Sequence, residues 1–398
     1  MVLLFLYFLI LYYIRKEIRL CSTKEFTYFT VCTIISCFLA IVYRTYLISS
    51  GIKLGLANLD MQYYMSLAET IQDMSFNDGF NTISSHWNFV SVNFIQIWGY
   101  RFYIYFLVFT IFKWSFLSTE SSVYLVSIWQ LLLAAYCILK LYNILKDKLF
   151  TFRHATLLIM LLAPPIWYGC VRLLREPFML LFMALSIYCI CNKQKLWLLK
   201  LSIYLLFLFI LRPYYAVFMI PILLMIDNKI KIAFIIEGGI FVLLAVPCII
   251  RGVNPLSIVG VILSPNFFNQ IENILFDLFT INGVSGEIPV ISLIGSIWNL
   301  IVVYYVALSI FLNRNISAIC WCNIGIILDL CMTYGLAFGG STELRHKIFF
   351  ILPLIIILNH GAFSHMSIAG RQKNIIISGF LLLNLMLGYT LIVVSFFN

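Results

Sequence analysis

The chain is a succession of long apolar runs broken by short polar punctuation. Runs of Leu, Ile, Phe, Val and Tyr begin near residues 2, 27, 102, 122, 155, 177, 197, 214, 232, 289, 316, 348 and 374, and each is continuous rather than alternating, as in residues 201–211. A helix needs about 20 apolar residues to cross the hydrocarbon core, whereas a barrel strand would show about 10 residues of alternating polarity. The pattern predicts an all-α, polytopic integral membrane protein with about 12–13 transmembrane helices. A single transmembrane domain is expected over residues 1–398, with sizeable loops only at residues 50–100 and 251–288. Neither loop has room for a soluble catalytic domain of about 100 residues, so any chemistry must be done by loops and helix ends.

Composition narrows the class further. Of 398 residues 63% are hydrophobic and only 11% charged, against about 25% charged in an ordinary soluble domain. Mean hydropathy is +1.02. The net charge of +10 does not point to nucleic acid, because the basic residues form short clusters between apolar runs, as they do at the cytoplasmic ends of membrane spans. The 11 cysteines, Cys32, Cys37, Cys137, Cys189, Cys191, Cys320, Cys322 and Cys331 among them, lie in or beside apolar runs without zinc-ligand spacing. They read as small apolar fillers. The first run carries Arg15, Lys16 and Arg19 after its apolar stretch and has no small-residue cleavage site, so it is expected to stay as a short first span.

The basic clusters also set sidedness. With Lys146/Lys148/Arg153, Lys193/Lys195/Lys200, Lys229/Lys231, Arg314 and Arg371/Lys373 on the cytoplasmic side, successive clusters are two spans apart from residue 146 onward. Arg172, Arg175, Glu176, Arg212, the 251–288 loop and residues 343–347 then share the opposite side. The N-terminal third keeps this parity only if one of the runs near 27, 102 and 122 fails to cross. Residues 102–117, with Lys113 inside and Tyr103, Tyr105 and Trp114 near the ends, are the expected interfacial or re-entrant segment.

Ionisable residues at such positions are expensive in hydrocarbon and mark candidate sites. Asp60 stands one helical turn before Tyr64, and with Ala68 and Ile71 would line one side of a short helix in the first loop. A carboxylate there could accept the proton of a hydroxyl; Glu69, Asp73, Asp78 and His86 share the loop, and a solvated acid is the plain alternative. Arg172 and Arg175 lie three apart before Glu176 and Pro177, where guanidinium forks at a helix start suit a phosphate or pyrophosphate. The plain alternative is an interface anchor beside Trp167. Arg212, followed by Pro213, Tyr214 and Tyr215, is an arginine on the side that basic residues avoid, with Glu176 as a structural partner or an anionic ligand as a functional one. Glu343, Arg345, His346 and Lys347 follow Gly339-Gly340 and combine acid, phosphate clamp and proton carrier. Glu237 and Asp329 fall within apolar runs, where pairing to a neighbouring helix competes with an ion pathway.

Taken in order, Asp60 with Tyr63/Tyr64, Pro164-Pro165, Arg175-Glu176-Pro177, Arg212-Pro213 and Glu343-Leu344-Arg345 before Pro353 resemble the GT-C superfamily of lipid-phosphate-sugar-dependent glycosyltransferases over roughly residues 27–360. Within that group the chain looks most like the bacterial O-antigen or capsule repeat-unit polymerases of the Wzy type. It departs from the mannosyltransferase and aminoarabinose-transferase pattern in that Met61, not a second acid, follows Asp60. The resemblance implies a multi-pass protein of the bacterial inner membrane that polymerises undecaprenyl-diphosphate-linked oligosaccharide units at the periplasmic face. Asp60, Glu343 and His346 would be the catalytic groups, Arg172, Arg175, Arg212 and Arg345 would hold the leaving pyrophosphate, and Glu176, Tyr64 and Tyr214 would support them. No cofactor is required; a divalent metal is compatible with the chemistry, although no ligand cluster compels one. The implied partners are the lipid-linked glycan, the bilayer, and a chain-length regulator and flippase of the same pathway, with no nucleic acid. The competing expectations are a GT-C enzyme moving one sugar from a polyprenyl-phosphate donor, and a lipid-linked oligosaccharide flippase using Glu237 and Asp329 for ion coupling.

Overall fold

A computed structural model describes residues 2–49, 59–87, 94–113, 117–146, 157, 160–162, 164–171 and 173–212, with isolated positions between 216 and 236. The elements below belong to the compact unit that contains Met1–Ala216. Among the described residues every regular element is helical: α1 (Val2–Ile18), α2 (Thr23–Ser49), α3 (Leu59–Ile71), α4 (Phe76–Trp87), α5 (Phe94–Leu107) continued by a π-helical segment (Val108–Lys113), α6 (Thr119–Leu145), α7 (Pro164–Val171), α8 (Glu176–Asn192) and α9 (Trp197–Leu211). The stretch 50–100, expected to be a loop with one short helix, holds α3, α4 and the start of α5.

Local sequence sets the helix boundaries. Ser22 and Glu25 form a reciprocal capping box: the Ser22 amide donates to Glu25 Oε2 at 2.7 Å, and the Glu25 amide donates to Ser22 Oγ at 3.4 Å. Ser118 caps α6 by accepting from the Ser121 amide at 3.3 Å. The turn between α8 and α9 passes through Lys193 (φ 41°) and Leu196 (φ 61°), left-handed positions that reverse the chain within a few residues.

Side-chain pairings fix the directions of the helices. Trp129 donates to the Leu6 carbonyl and Lys140 pairs with Glu17 at 2.9 Å, so α1 runs parallel to α6. Tyr142 meets Glu25 while Tyr124 meets Thr45, so α2 runs antiparallel to α6. Phe178 packs on Trp129 and Tyr188 lies under Lys140, so α8 again follows α6, and α9 returns. One end of the bundle thus gathers Glu17, Glu25, Lys140, Asn143, Lys146 and Lys193, and the other gathers Arg44, Arg175, Glu176 and Arg212. α5 lies across this second end rather than through the bundle. Gly99 packs on Ile210, Tyr100 on Arg175, Tyr103 on Leu173 and Phe106 on Trp129 and Phe178, all at one level.

α6 is the core helix, its face from Leu131 to Tyr142 packed against α1, α2 and α8. With α2 it is long and apolar enough to cross a membrane, α6 mostly buried and α2 mostly exposed. At 27 residues α6 is about 40 Å long. The outward faces of α1, α2 and α9 carry Phe5, Phe8, Ile34, Phe38, Leu198, Leu199 and Leu206, all exposed. Left in water, each would forgo about 1.5–3 kcal/mol of burial, and together that rivals a net folding stability of about 5–15 kcal/mol. Such a belt needs an apolar surround.

The Glu17–Lys140 pair is buried, and Asn143 Nδ2 donates to the Glu17 carboxylate at 3.1 Å. Lys140→Met alone strands a buried carboxylate and is expected to cost about 3–5 kcal/mol, whereas Glu17→Gln with Lys140→Met should recover most of it. Melting temperatures of the purified variants check this; equal losses in the single and double variants would contradict it.

Candidate functional site

The link between α7 and α8 carries the site. α7 ends at Val171 and α9 at Leu211, and each end leaves carbonyls without intrahelical donors. Arginines take both: Arg44 Nη1 donates to the Val171 carbonyl at 2.6 Å, and Arg175 Nη1 donates to the Leu211 carbonyl at 2.9 Å. Cations at helix C-termini also meet the negative end of the dipole. Between the two helices, Leu173 adopts φ 50°, a conformation that costs a side-chain-bearing residue about 1–3 kcal/mol. Tyr103 holds it by donating to its carbonyl, and Gln130 Nε2 donates to the Tyr103 hydroxyl at 3.1 Å and to the Leu174 carbonyl at 3.2 Å.

Arg175 is the hub. Its Nη2 donates to the Tyr100 hydroxyl at 2.8 Å, and the guanidinium carbon sits 3.9 Å from the centre of the Tyr100 ring. Tyr64, from α3, packs edge-on against Tyr103 at 5.3 Å and tilted against Tyr100 at 5.7 Å. Glu176 opens α8, where a carboxylate favours the helix dipole, and Arg212 Nη2 lies 3.6 Å from its Oε1. Pro177 follows in the first turn, where its missing N–H costs nothing. Burial works against the charge of Arg175, but the oxygens of Tyr64, Tyr100 and Glu176 outweigh burial and the neighbouring Arg212, and its pKa lies above the ordinary guanidinium value. The group stays cationic at every physiological pH.

Arg44, Arg175, Glu176 and Arg212 are each at most 5% exposed. Among the described residues Glu176 is the one carboxylate in ion-pair contact with these arginines. Arg44 Nε and Nη2, Arg175 Nε and Glu176 Oε2 are buried without a hydrogen-bond partner. An anion-sized ligand with oxygen acceptors would answer the idle donors of Arg44 and Arg175. No group of three or more His, Cys, Asp or Glu suited to a metal occurs among the described residues.

The structure brings Tyr64, Arg175, Glu176 and Arg212 together, although they come from three separate stretches of chain. Asp60 is the second residue of α3, one turn before Tyr64 as expected, and its side chain lies outside the described residues. Arg172, Tyr214, Glu237, Asp329, Glu343, Arg345 and His346 also lie outside them. Sequence reasoning missed Arg44, Tyr100, Tyr103 and Gln130. Arg44 carried a signal, as a lone arginine near the end of an apolar run, and Gln130 carried a fainter one amid Leu and Ala; two tyrosines among 23 carried none. Compared with known protein families, curated proteins and solved structures, the chain matches none.

The Arg175 hub depends on close approach of α5 to α9. A Cβ on Gly99 would stand 2.3 Å from the Ile210 carbonyl oxygen, a backbone atom that cannot step aside. Gly99→Ala is expected to push Tyr100 away from Arg175 and to cost about 1–3 kcal/mol, measured as a fall in melting temperature; unchanged stability would rule out this contact.

Proposed function

We propose that the chain is a multi-pass glycosyltransferase of the bacterial inner membrane that polymerises undecaprenyl-diphosphate-linked repeat units at the periplasmic face. The observation that carries this reading is the buried, cation-rich cluster of Arg175, Glu176 and Arg212 at the end of the bundle opposite the lysines. The apolar belt of α1, α2 and α9 supports the membrane setting, and the separation of the two basic sets supports the sidedness. In the proposed reaction an acceptor sugar hydroxyl attacks the anomeric carbon of the donor glycan. The new carbon–oxygen bond forms as the bond from that carbon to the diphosphate oxygen breaks. Asp60 or His346, with Glu343 beside it in sequence, takes the hydroxyl proton. Arg175 and Arg212, with Arg172 and Arg345, stabilise the diphosphate as its charge grows; pre-set donors of this kind are worth about 100-fold or more in rate. Tyr64 and Tyr214 would shape the site. No cofactor is needed, and a divalent ion would act only by sharing the diphosphate charge. A chain-length regulator and a flippase are the partners such a reaction calls for.

The test is incubation of the purified protein in lipid nanodiscs with an undecaprenyl-diphosphate oligosaccharide. A ladder of repeat units is the expected product. A single added sugar would replace the polymerase reading with a one-sugar transferase, and lipid movement without a new glycosidic bond would replace it with a flippase. Arg175→Lys, Arg212→Lys and Arg345→Ala should each slow ladder formation about 100-fold at normal protein levels; wild-type ladders from two of the three would sink the clamp. An Asp60→Asn protein with undiminished rate would remove that residue as the base.

A further inference from the structure

We infer that Arg44 is a phosphate-binding residue, its free guanidinium edge reserved for phosphate oxygens of the lipid-linked donor; this extends the reading given under Proposed function. Arg44 lies in α2, one turn before its C-terminal end, and is 2% exposed. Its surroundings account for only part of the guanidinium. Nη1 donates to the Val171 carbonyl at 2.6 Å, and the planar group sits 5.9 Å from the centre of the Tyr124 ring. The Tyr124 hydroxyl is in turn 3.2 Å from Thr45 Oγ1. Nε and Nη2 are both buried and both without a partner.

Those two nitrogens form one edge of the guanidinium, the edge that presents parallel N–H donors to two oxygens of a phosphate or carboxylate. A cation required only to cap α7 needs one donor, and would not leave a bidentate edge idle in a buried place. A buried charge with most of its hydrogen bonds unmade is costly, and no carboxylate among the described residues is in ion-pair contact with Arg44. The Val171 carbonyl that Arg44 holds lies four residues before Arg175: Arg44 ties the start of the link to α2, and Arg175, at its end, donates to the Leu211 carbonyl of α9. The site would then present arginines from both sides of the link to a diphosphate.

Binding of farnesyl diphosphate and of inorganic pyrophosphate to the purified full chain in nanodiscs tests this by calorimetry, the first probe standing for a lipid-linked diphosphate and the second for a free one. Arg44→Lys keeps the charge and a donor for Val171 but loses the paired edge, and should raise the Kd for farnesyl diphosphate by about tenfold or more. A matching loss for inorganic pyrophosphate would extend the site to the free anion; a loss confined to the farnesyl compound assigns it to the lipid-linked one. Arg44→Met removes the paired edge, the charge and the donor to the Val171 carbonyl, and should weaken farnesyl diphosphate binding at least as much as Arg44→Lys, with a modest fall in melting temperature from the unpaired carbonyl. Parent affinity in a folded Arg44→Lys or Arg44→Met protein overturns the inference, and so does failure of both to fold, which would make Arg44 a structural cap. Arg44-independent binding by a chain that still makes ladders refutes this inference alone; Arg44-dependent binding by a chain that makes none refutes the polymerase reading alone.

Discussion

Everything at the arginine end depends on one constraint: peptide carbonyls at buried helix ends must find donors where water is scarce. α7 and α9 stop inside the protein, and the chain answers with guanidiniums. Arg175 binds the end of α9 and lies against Tyr100 of α5, while Arg44 ties α2 to the end of α7. A permanent cation is a strong solution to an orphan carbonyl, but it brings more charge and more donors than one carbonyl consumes. The surplus turns a structural device into a candidate anion site.

The same helices keep the opposite end tied by different chemistry. There Glu17, Glu25, Lys140, Asn143 and Tyr142 satisfy one another, acid against base and hydroxyl against carboxylate. At that end each described carboxylate has a donor on a neighbouring helix; at the arginine end Arg44 and Arg175 keep guanidinium nitrogens without an acceptor. The contrast matters because the same helices, α2, α6 and α8, run between the two ends. A balanced network locks helices together, whereas an unbalanced one leaves electrostatic work for a ligand.

Much of this was legible along the chain. The apolar runs gave α1, α2, α6, α8 and α9 within a few residues, since an unbroken run without proline or glycine has few options but helix. The one-face spacing of Asp60, Tyr64, Ala68 and Ile71 announced α3, whose Tyr64, Ala68 and Ile71 are buried. Arg175, Glu176 and Arg212 stood out because charge is scarce and they interrupt apolar runs away from the lysine clusters. α4 was not legible, because a short helix of Asn, Ser, Thr and Gly has the composition of a loop and owes its order to packing against α3 and α5. Nor was the course of α5 across the bundle, which local hydrophobicity does not encode.

Among the described residues, what the sequence determined by itself was the helical class, the apolar outward faces and the separation of lysines from the Arg175–Arg212 group, because these follow from local propensity and from the cost of burying charge. Only the tertiary structure decided that Arg175 meets Leu211 and Tyr100, that Arg44 reaches Val171, and that Tyr103, itself bonded by Gln130, holds a strained Leu173. Those contacts join residues far apart in the chain, and they are set by which helix end arrives beside which carbonyl, a matter of packing geometry that no single segment contains.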